Sequence, residues 1–358
     1  MIQEGFNDRN MHTMQRNKEL GSEFCFETCL INRNVLSKET LVLSGRTAID
    51  LIIQDIKKKR KLKSAYLPAY CCDSMIDPFI RNGIDVNLYD ISFDGDLHYL
   101  IDEEKQTDVF YVNNYFGYEN TIDSGIIKHF KQKGVVIIYD KTHSLFMSND
   151  TIDGVADYSF SSIRKWMGVV CGAVVDKLNG HFDIELKDYP YLQCKIDAMT
   201  EKAKFIDGDT SIEKQSFLGK FGEFGQHLSD TYEGYKMDVL STGIWQQSDK
   251  LMIRNKRREN AAILHKQNLQ FIGDLSANSC PLFVPVFFKT LEERDLIRRR
   301  LTDNQIYCPI HWPKNKLITS TMHVNRIYDS ELSLICDQRY NISDMDRIVK
   351  VINQNIRY

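Results

Sequence analysis

Between about residues 41 and 176, short apolar runs alternate with stretches whose apolar residues recur at helical spacing. Leu41-Val42-Leu43 reads as a strand that gives way to Ser44-Gly45, and Ile49, Ile52, Ile53 and Ile56 then mark one face of a helix. Ser64–Pro68, Asp85–Asp90, Asp108–Asn113 and Val135–Asp140 read as further strands. Helices are predicted from Asp73 to Asn82, stopped by Gly83, and from Ile122 to Lys133, stopped by Gly134. Tyr158–Ser161 and Cys171–Val175 complete the set. Strands alternating with helices predict a largely parallel sheet covered on both faces. Ligands of such sheets bind at the carboxyl ends of the strands, where Asn113 and Asp140 would stand.

The second half follows a different pattern. Residues 181–235 are polar and aromatic-rich and fit no clear element. Within them, Phe217–Gly225 matches neither a helix nor a strand and reads as a surface loop or a segment lying across a partner. One long helical pattern runs from about Asp238 to Gln270, followed by a strand at Leu282–Phe288 and a helix from Glu292 to Asp303. An extended Gln305–Pro309 and a helix from Ser343 to Asn355 close the chain. This ending predicts a smaller α+β domain joined by the long helix. The expected division is a large domain over residues 1–245, with an N-terminal arm at 1–40, and a small domain over 246–358.

Candidate chemistry lies in three places along the alternating half. The apolar run Val135–Tyr139 closes on Asp140, and the hydroxyl-rich Ser159-Phe160-Ser161-Ser162 leads to Lys165. Upstream, Ser44-Gly45 opens a helix, whose free N–H groups suit a phosphate. Taken singly, each has an ordinary explanation: a capping Asp, a solvated Lys beside Trp166, a capping Ser. Together they supply a phosphate cradle, an acidic partner for a ring nitrogen and an amine able to form a Schiff base. Pyridoxal phosphate needs that combination, because its protonated ring acts as an electron sink.

Composition narrows the partners. A net charge of −3 gives no electrostatic case for nucleic acid. The basic run Lys57–Lys63 ends the first predicted helix, where cations favour the dipole and stay in water. The nine Cys lack paired metal-type spacing; Cys25 and Cys29 could share a helix face, but nothing accompanies them, so no metal is expected. The polar opening Met1–Asp8 lacks a signal-peptide pattern, and no apolar stretch approaches membrane-spanning length. A cytoplasmic protein with reduced thiols is expected.

With these residues in hand, the chain resembles the DegT/DnrJ/EryC1/StrS family of fold-type I pyridoxal-phosphate aminotransferases, from about Gly21 to the C-terminus. Gly45 to Ile49 resembles the family's phosphate element. Leu67-Pro68-Ala69-Tyr70, with Gly83 and Tyr89-Asp90 after it, resembles its Pro-containing strand, helix and next strand. Asn113–Gly117 sits at its polar-aromatic-Gly turn, and Asp140–Ser144 at its Asp-x-Ala-Gln/His position. Ser162–Lys165 followed by Gly172 resembles its lysine segment; Ile306–Pro313 and Cys336–Tyr340 resemble parts of its small domain. The chain departs from the family in three places. Arg46 stands where Thr is usual, with Thr47 next. The aromatic that stacks on the cofactor falls near Cys71-Cys72, leaving Tyr70 or Phe116 as substitutes. The segment Glu233–Met237, which in the family reaches a neighbouring subunit's site, carries Gly234 in place of Asn.

The resemblance implies an α/β fold-type I transferase with a mainly parallel seven-stranded-type sheet and a smaller C-terminal α+β domain. It implies an aminotransferase that takes nitrogen from an amino acid such as glutamate and gives it to a keto-sugar or sugar nucleotide. Lys165 would form the Schiff base and move the proton, Asp140 would hold the ring nitrogen protonated, and His143 would contact the phenolic oxygen or ring face. Gly45, Arg46, Thr47, Tyr70 and Ser162 would complete the cofactor site, and His311 and Arg339 are candidates for the substrate. A homodimer with shared sites, to which Lys220 and Tyr235 could contribute, is expected. Two other readings stand beside it: a dehydratase or lyase using the same cofactor, and a non-catalytic relative. Lys165 counts against the dehydratases that carry His there; Asp140 and Lys165 together count against the non-catalytic relative.

Overall fold

The computed structural model describes residues 19–25, 39–119, 122–314, 316–317 and 321–355. In chain order the elements are β1 (Leu20–Gly21), β2 (Thr40–Val42), α1 (Gly45–Lys57), β3 (Ser64–Pro68), α2 (Asp73–Arg81), β4 (Asp85–Phe93), β5 (Leu97–Leu100), β6 (Val109–Asn113), α3 (Ser124–Gln132), β7 (Val136–Asp140), β8 (Tyr158–Ser162) and β9 (Ala173–Lys177). Then come α4 (Leu192–Ile206), α5 (Lys214–Asp230), α6 (Val239–Gln247), α7 (Lys250–Leu264), β10 (Gln270–Phe271), β11 (Val284–Phe287), α8 (Leu291–Asp303), β12 (Ile306–Tyr307), α9 (Met322–Ser330), β13 (Glu331–Leu334) and α10 (Ile342–Asn355).

The apolar runs of the first half build one sheet in the order β2-β9-β8-β7-β6-β3-β4-β5. The pairs β8–β7, β7–β6, β6–β3 and β3–β4 are parallel. Val109–Asn113 is buried at every position, as expected of a parallel strand covered on both faces. On one face Tyr66, Phe110 and Ile137 pack with Ile127 and Phe130 of α3; on the other Leu67, Tyr111 and Ile138 pack with Ile52 of α1 and Phe79 of α2. The sheet has eight strands rather than the expected seven, because β4 runs on to Phe93 and turns back antiparallel through β5.

Two other expectations fail. The pattern from Asp238 to Gln270 is not one helix: Ser248 is extended, and Asp249 starts α7 by accepting the Met252 N–H at 2.9 Å. A capping side chain here overrides a continuous apolar period. Phe217–Gly225 lies inside α5, where Phe217 and Phe224, seven residues apart, are buried on one face. Its three glycines lower helix propensity without preventing a helix that packs on α4.

The C-terminal elements form a smaller antiparallel sheet, β10-β11-β13, whose core of Ala261, Leu264, Val286, Leu301, Leu332 and Ile348 is covered by α7, α8 and α10. Leu20 joins this core, and β1 pairs with β12. Among the described residues no helix is long and apolar enough to cross a membrane.

Candidate active site

A cavity opens at the carboxyl ends of β6, β7 and β8 and at the start of α1. Asn113 and Asp140 are the last residues of their strands, and topology alone brings them side by side. Ser162 ends β8, and a single 3₁₀ turn, Ile163–Lys165, carries Lys165 into the same wall. That turn is fixed from behind: Ile163 N–H donates to Gly172 O at 3.0 Å, and the Trp166 indole donates to Thr142 O at 2.8 Å. Gly172 has φ +139, and a Cβ there would meet Met237 Cε at 2.5 Å, so the turn requires glycine.

Asp140 is buried and paired with no cation. Its Oδ1 accepts the Thr142 N–H at 2.8 Å and its Oδ2 the Tyr111 hydroxyl at 2.7 Å. Burial raises its pKa, against the lowering effect of these hydrogen bonds and of Lys165.

His143 is oriented by the turn after β6. Asn114 folds that turn by accepting the Gly117 N–H at 3.0 Å and donating to Tyr118 O at 2.8 Å. Phe116 is thereby held at φ +62, a strained value for a bulky residue, and its N–H points to His143 Nδ1 at 3.3 Å. Burial drives the His143 pKa well below 6.5, with Lys165 and His311 adding to the effect, so the ring is neutral. With Nδ1 accepting, the hydrogen-bond network assigns the ring proton to Nε2, which faces Lys165 Nζ at 3.4 Å. That pairing suits a free-base amine. Burial also lowers the Lys165 pKa, and Arg164 and Arg46 act in the same direction against Cys72 and Asp140. Lys165 is thus prepared as a nucleophile.

At the other end, Ser44 caps α1 by accepting the Thr47 N–H at 3.2 Å, which leaves the N–H groups of Gly45 and Arg46 without intrahelical partners. A Cβ on Gly45 would come within 3.7 Å of Phe160 and 3.8 Å of Ser162, both cavity residues, and would narrow the space there. The buried Nε atoms of Arg46 and Arg164, and Oδ1 of Asn113, have no hydrogen-bond partner.

The cavity thus gathers Gly45, Arg46, Asp140, His143, Ser162 and Lys165 from the residues expected on sequence grounds. The other four stand elsewhere. Thr47 gives its hydroxyl to Tyr232 O at 2.9 Å, away from the cavity. Tyr70 is fully buried behind the wall; its hydroxyl donates to the His311 carbonyl and its ring stacks on Tyr115. His311 is tied by Nδ1 to Ser333 Oγ at 2.8 Å and by its N–H to Glu331 at 2.7 Å; burial takes its pKa down to about 3. Arg339 forms a two-pronged pair with Asp337 at 2.8 and 2.9 Å and holds the carbonyls of Ser22 and Glu23. As for the segment around Tyr235, it lies along β2 of its own chain, with Leu43 N–H donating to Tyr235 O at 3.1 Å.

Thr142, Arg164 and Trp312 are among the lining residues that were not foreseen as site residues. Trp312 stacks on His143 with ring centres 5.2 Å apart and lies 5.9 Å from Lys165 Nζ. Of the aromatics, Trp312 and Phe160 line the cavity, and Tyr70 and Phe116, the candidates for stacking on the cofactor, do not. The only sequence signal for Trp312 was an aromatic beside His311. Cys72, which marks where a stacking aromatic was expected, also lines the cavity, with Sγ 2.9 Å from Ser74 Oγ.

No protein-family model matches this chain, and no curated protein matches it in sequence. Solved structures do match. PseC of Helicobacter pylori, an aminotransferase involved in the biosynthesis of pseudoaminic acid, is 14% identical with a TM-score of 0.64, over 93% of this chain and 99% of that one. A DegT DnrJ EryC1 StrS aminotransferase from Brucella abortus is 14% identical with a TM-score of 0.60, over 89% and 86%. NtdA of Bacillus subtilis, solved with its cofactor PMP bound, is 14% identical with a TM-score of 0.59, over 88% and 72%. The chain has the fold of these aminotransferases. At such identity the likeness concerns architecture: a mixed α/β molecule built on a large, mainly parallel sheet, the fold-type I arrangement.

The residues present fit pyridoxal phosphate. Lys165 could take the aldehyde, Asp140 the ring nitrogen, and the start of α1 with Ser162 and the two arginines the phosphate. When bound, that cofactor supplies an electron sink for carbanion chemistry. The chain's own part would be to hold the ring nitrogen protonated through Asp140, to present Lys165 with its pKa lowered by burial, and to bear a proton on His143 Nε2 beside it. Among the described residues no group of three His, Cys, Asp or Glu side chains could hold a metal.

Proposed function

We propose that this protein is a pyridoxal-phosphate-dependent aminotransferase that moves nitrogen from an amino acid, such as glutamate, to a keto-sugar or sugar nucleotide. The observation that carries the reading is the cavity itself: a lysine whose pKa burial lowers, a buried carboxyl with no cationic partner and an anion-seeking helix start face one space. The fold shared with sugar aminotransferases supports the acceptor class. In this reading Lys165 holds the cofactor and, once freed by the amino donor, carries the proton at the reacting carbon. Asp140 anchors the ring nitrogen, His143 and Trp312 bound the ring side of the cavity, and Ser162 and Gly45 contact the phosphate.

The same reading divides the chain at residue 245, and the separate core around Val286 and Ile348 supports that division. It also has the enzyme work as a homodimer, with Lys220 and Tyr235 near the partner's site, and places it in the cytoplasm. The eight free thiols among the described residues agree with a reducing compartment. The deciding experiment is a half-reaction screen: purified protein is loaded with cofactor and mixed in turn with candidate amino donors. Conversion of the carbonyl form of the cofactor to its amine form, reversed by a keto-sugar, is expected. Loading without conversion by any donor would point to lyase chemistry, and failure to load would overturn the reading.

A further inference from the structure

Two guanidinium groups converge on the α1 end of the cavity, and nothing in the described protein receives either. Arg46 opens α1 and Arg164 sits in the 3₁₀ turn; both line the cavity, and both have a buried Nε with no hydrogen-bond partner. Two acids that interact electrostatically with them, Asp77 with Arg46 and Glu23 with Arg164, are already engaged. Asp77 pairs with Arg81 at 3.0 Å, and Glu23 pairs with Lys195 at 2.8 Å. Among the described residues Asp140 is the sole acidic one in the cavity wall, and it is held by Tyr111 and Thr142. The two arginines also disfavour each other: burial first, then the charge of Arg164, lowers the pKa of Arg46. Holding two like charges in a partly buried wall without a counter-ion is unfavourable, so the arrangement calls for a ligand bearing about two negative charges.

We infer that Arg46 and Arg164 form a paired clamp for a phosphate dianion, and that this clamp replaces hydroxyl side chains as the main anchor of the cofactor's phosphate. The inference rests on the function proposed above. Thr47, the nearby candidate hydroxyl, is committed to Tyr232 O. The guanidinium fork matches phosphate oxygens two at a time, which a hydroxyl cannot do. Arg164 is also next to Lys165 on one short turn, so the phosphate anchor and the reactive amine are positioned by the same three residues. Phosphate in the clamp would neutralise two cations whose charge lowers the Lys165 pKa.

The test compares pyridoxal phosphate with pyridoxal, which has the same aldehyde and ring but no phosphate. Affinities are read by absorbance for the wild type, Arg46→Gln, Arg164→Gln and the charge-retaining Arg46→Lys and Arg164→Lys. Each Gln variant should bind pyridoxal phosphate about ten- to a hundredfold more weakly, the scale of a charged hydrogen bond, and pyridoxal unchanged. The Lys variants should recover part of the loss. Unchanged affinity for pyridoxal phosphate in both Gln variants would overturn the clamp, as would an equal loss for both ligands, which marks a structural defect. Calorimetry with inorganic phosphate separates the clamp from the proposed function. A wild type that takes up one phosphate and loses it on either Gln substitution, yet never captures the aldehyde at Lys165, would keep the clamp and refute the aminotransferase reading. Absence of phosphate binding in the wild type would count against the clamp.

Discussion

Asp140 and Lys165 on the large sheet, and His311 and Arg339 beside the small one, are four polar residues that all looked functional in the sequence, and their fates differ. The first two end or follow buried parallel strands and face the cavity. The other two are tied within the protein: Arg339 to Asp337 and the segment at Ser22-Glu23, His311 to Ser333 and Glu331. A strand end in a parallel sheet is placed by topology, so its position can be read from chain order. A polar residue in a loop beside a small antiparallel sheet is placed by whichever tertiary partner it finds, which chain order does not reveal.

That contrast can be broken by mutation. The largest effect is expected at Lys165→Ala, which should abolish covalent capture of pyridoxal phosphate and the visible band that accompanies it. A band of wild-type strength in that variant would return Lys165 to the status of a surface amine. Next comes Asp140→Asn, which should retain cofactor but lose several orders of magnitude in turnover, because the ring nitrogen is no longer held protonated. Near-wild-type turnover would make Asp140 no more than a cap for the Thr142 N–H.

On the other side of the contrast, Arg339→Gln should cost about 2–3 kcal/mol of stability in chemical denaturation, since it strands the buried Asp337 carboxylate. Turnover of the folded variant should stay within about twofold of wild type, as befits a side chain that makes no contact with reactants. A large rise in KM with unchanged stability would put Arg339 back in the substrate site. The smallest effect is on pH dependence. Only the free-base amine reacts, so the rate of cofactor capture should rise with pH and level off below 10.5, the ordinary lysine value, because burial and then Arg164 and Arg46 lower the Lys165 pKa. A profile still rising through 10.5 would show the amine to be solvated.

The large sheet was readable because β3, β6 and β7 are buried on both faces and appear as unbroken apolar runs between turn signals. What escaped was short or compositionally mixed. β5 and β10 have four and two residues, and β13 carries the buried Glu331, whose carboxyl burial pushes up to about 8. The glycines of α5 concealed a helix, and a capping Asp249 split a period that looked continuous. Within the site, local order along the chain sufficed for Gly45, Asp140, Ser162 and Lys165. Trp312 arrives from a segment nearly 150 residues beyond Lys165, and no local pattern could bring it there. Arg164 was visible beside Lys165, but its lack of a partner is a three-dimensional fact.

The central claim, that the chain places one reactive amine at the end of β8 for a pyridine aldehyde, is tested most directly by trapping. Purified protein is incubated with pyridoxal phosphate, reduced with borohydride, digested and mapped by mass spectrometry. The account predicts a single reduced adduct, on Lys165. An adduct on Lys141, which is paired with Asp153 at 2.5 Å, or on Lys220, which is paired with Glu201, with Lys165 unmodified, would contradict it.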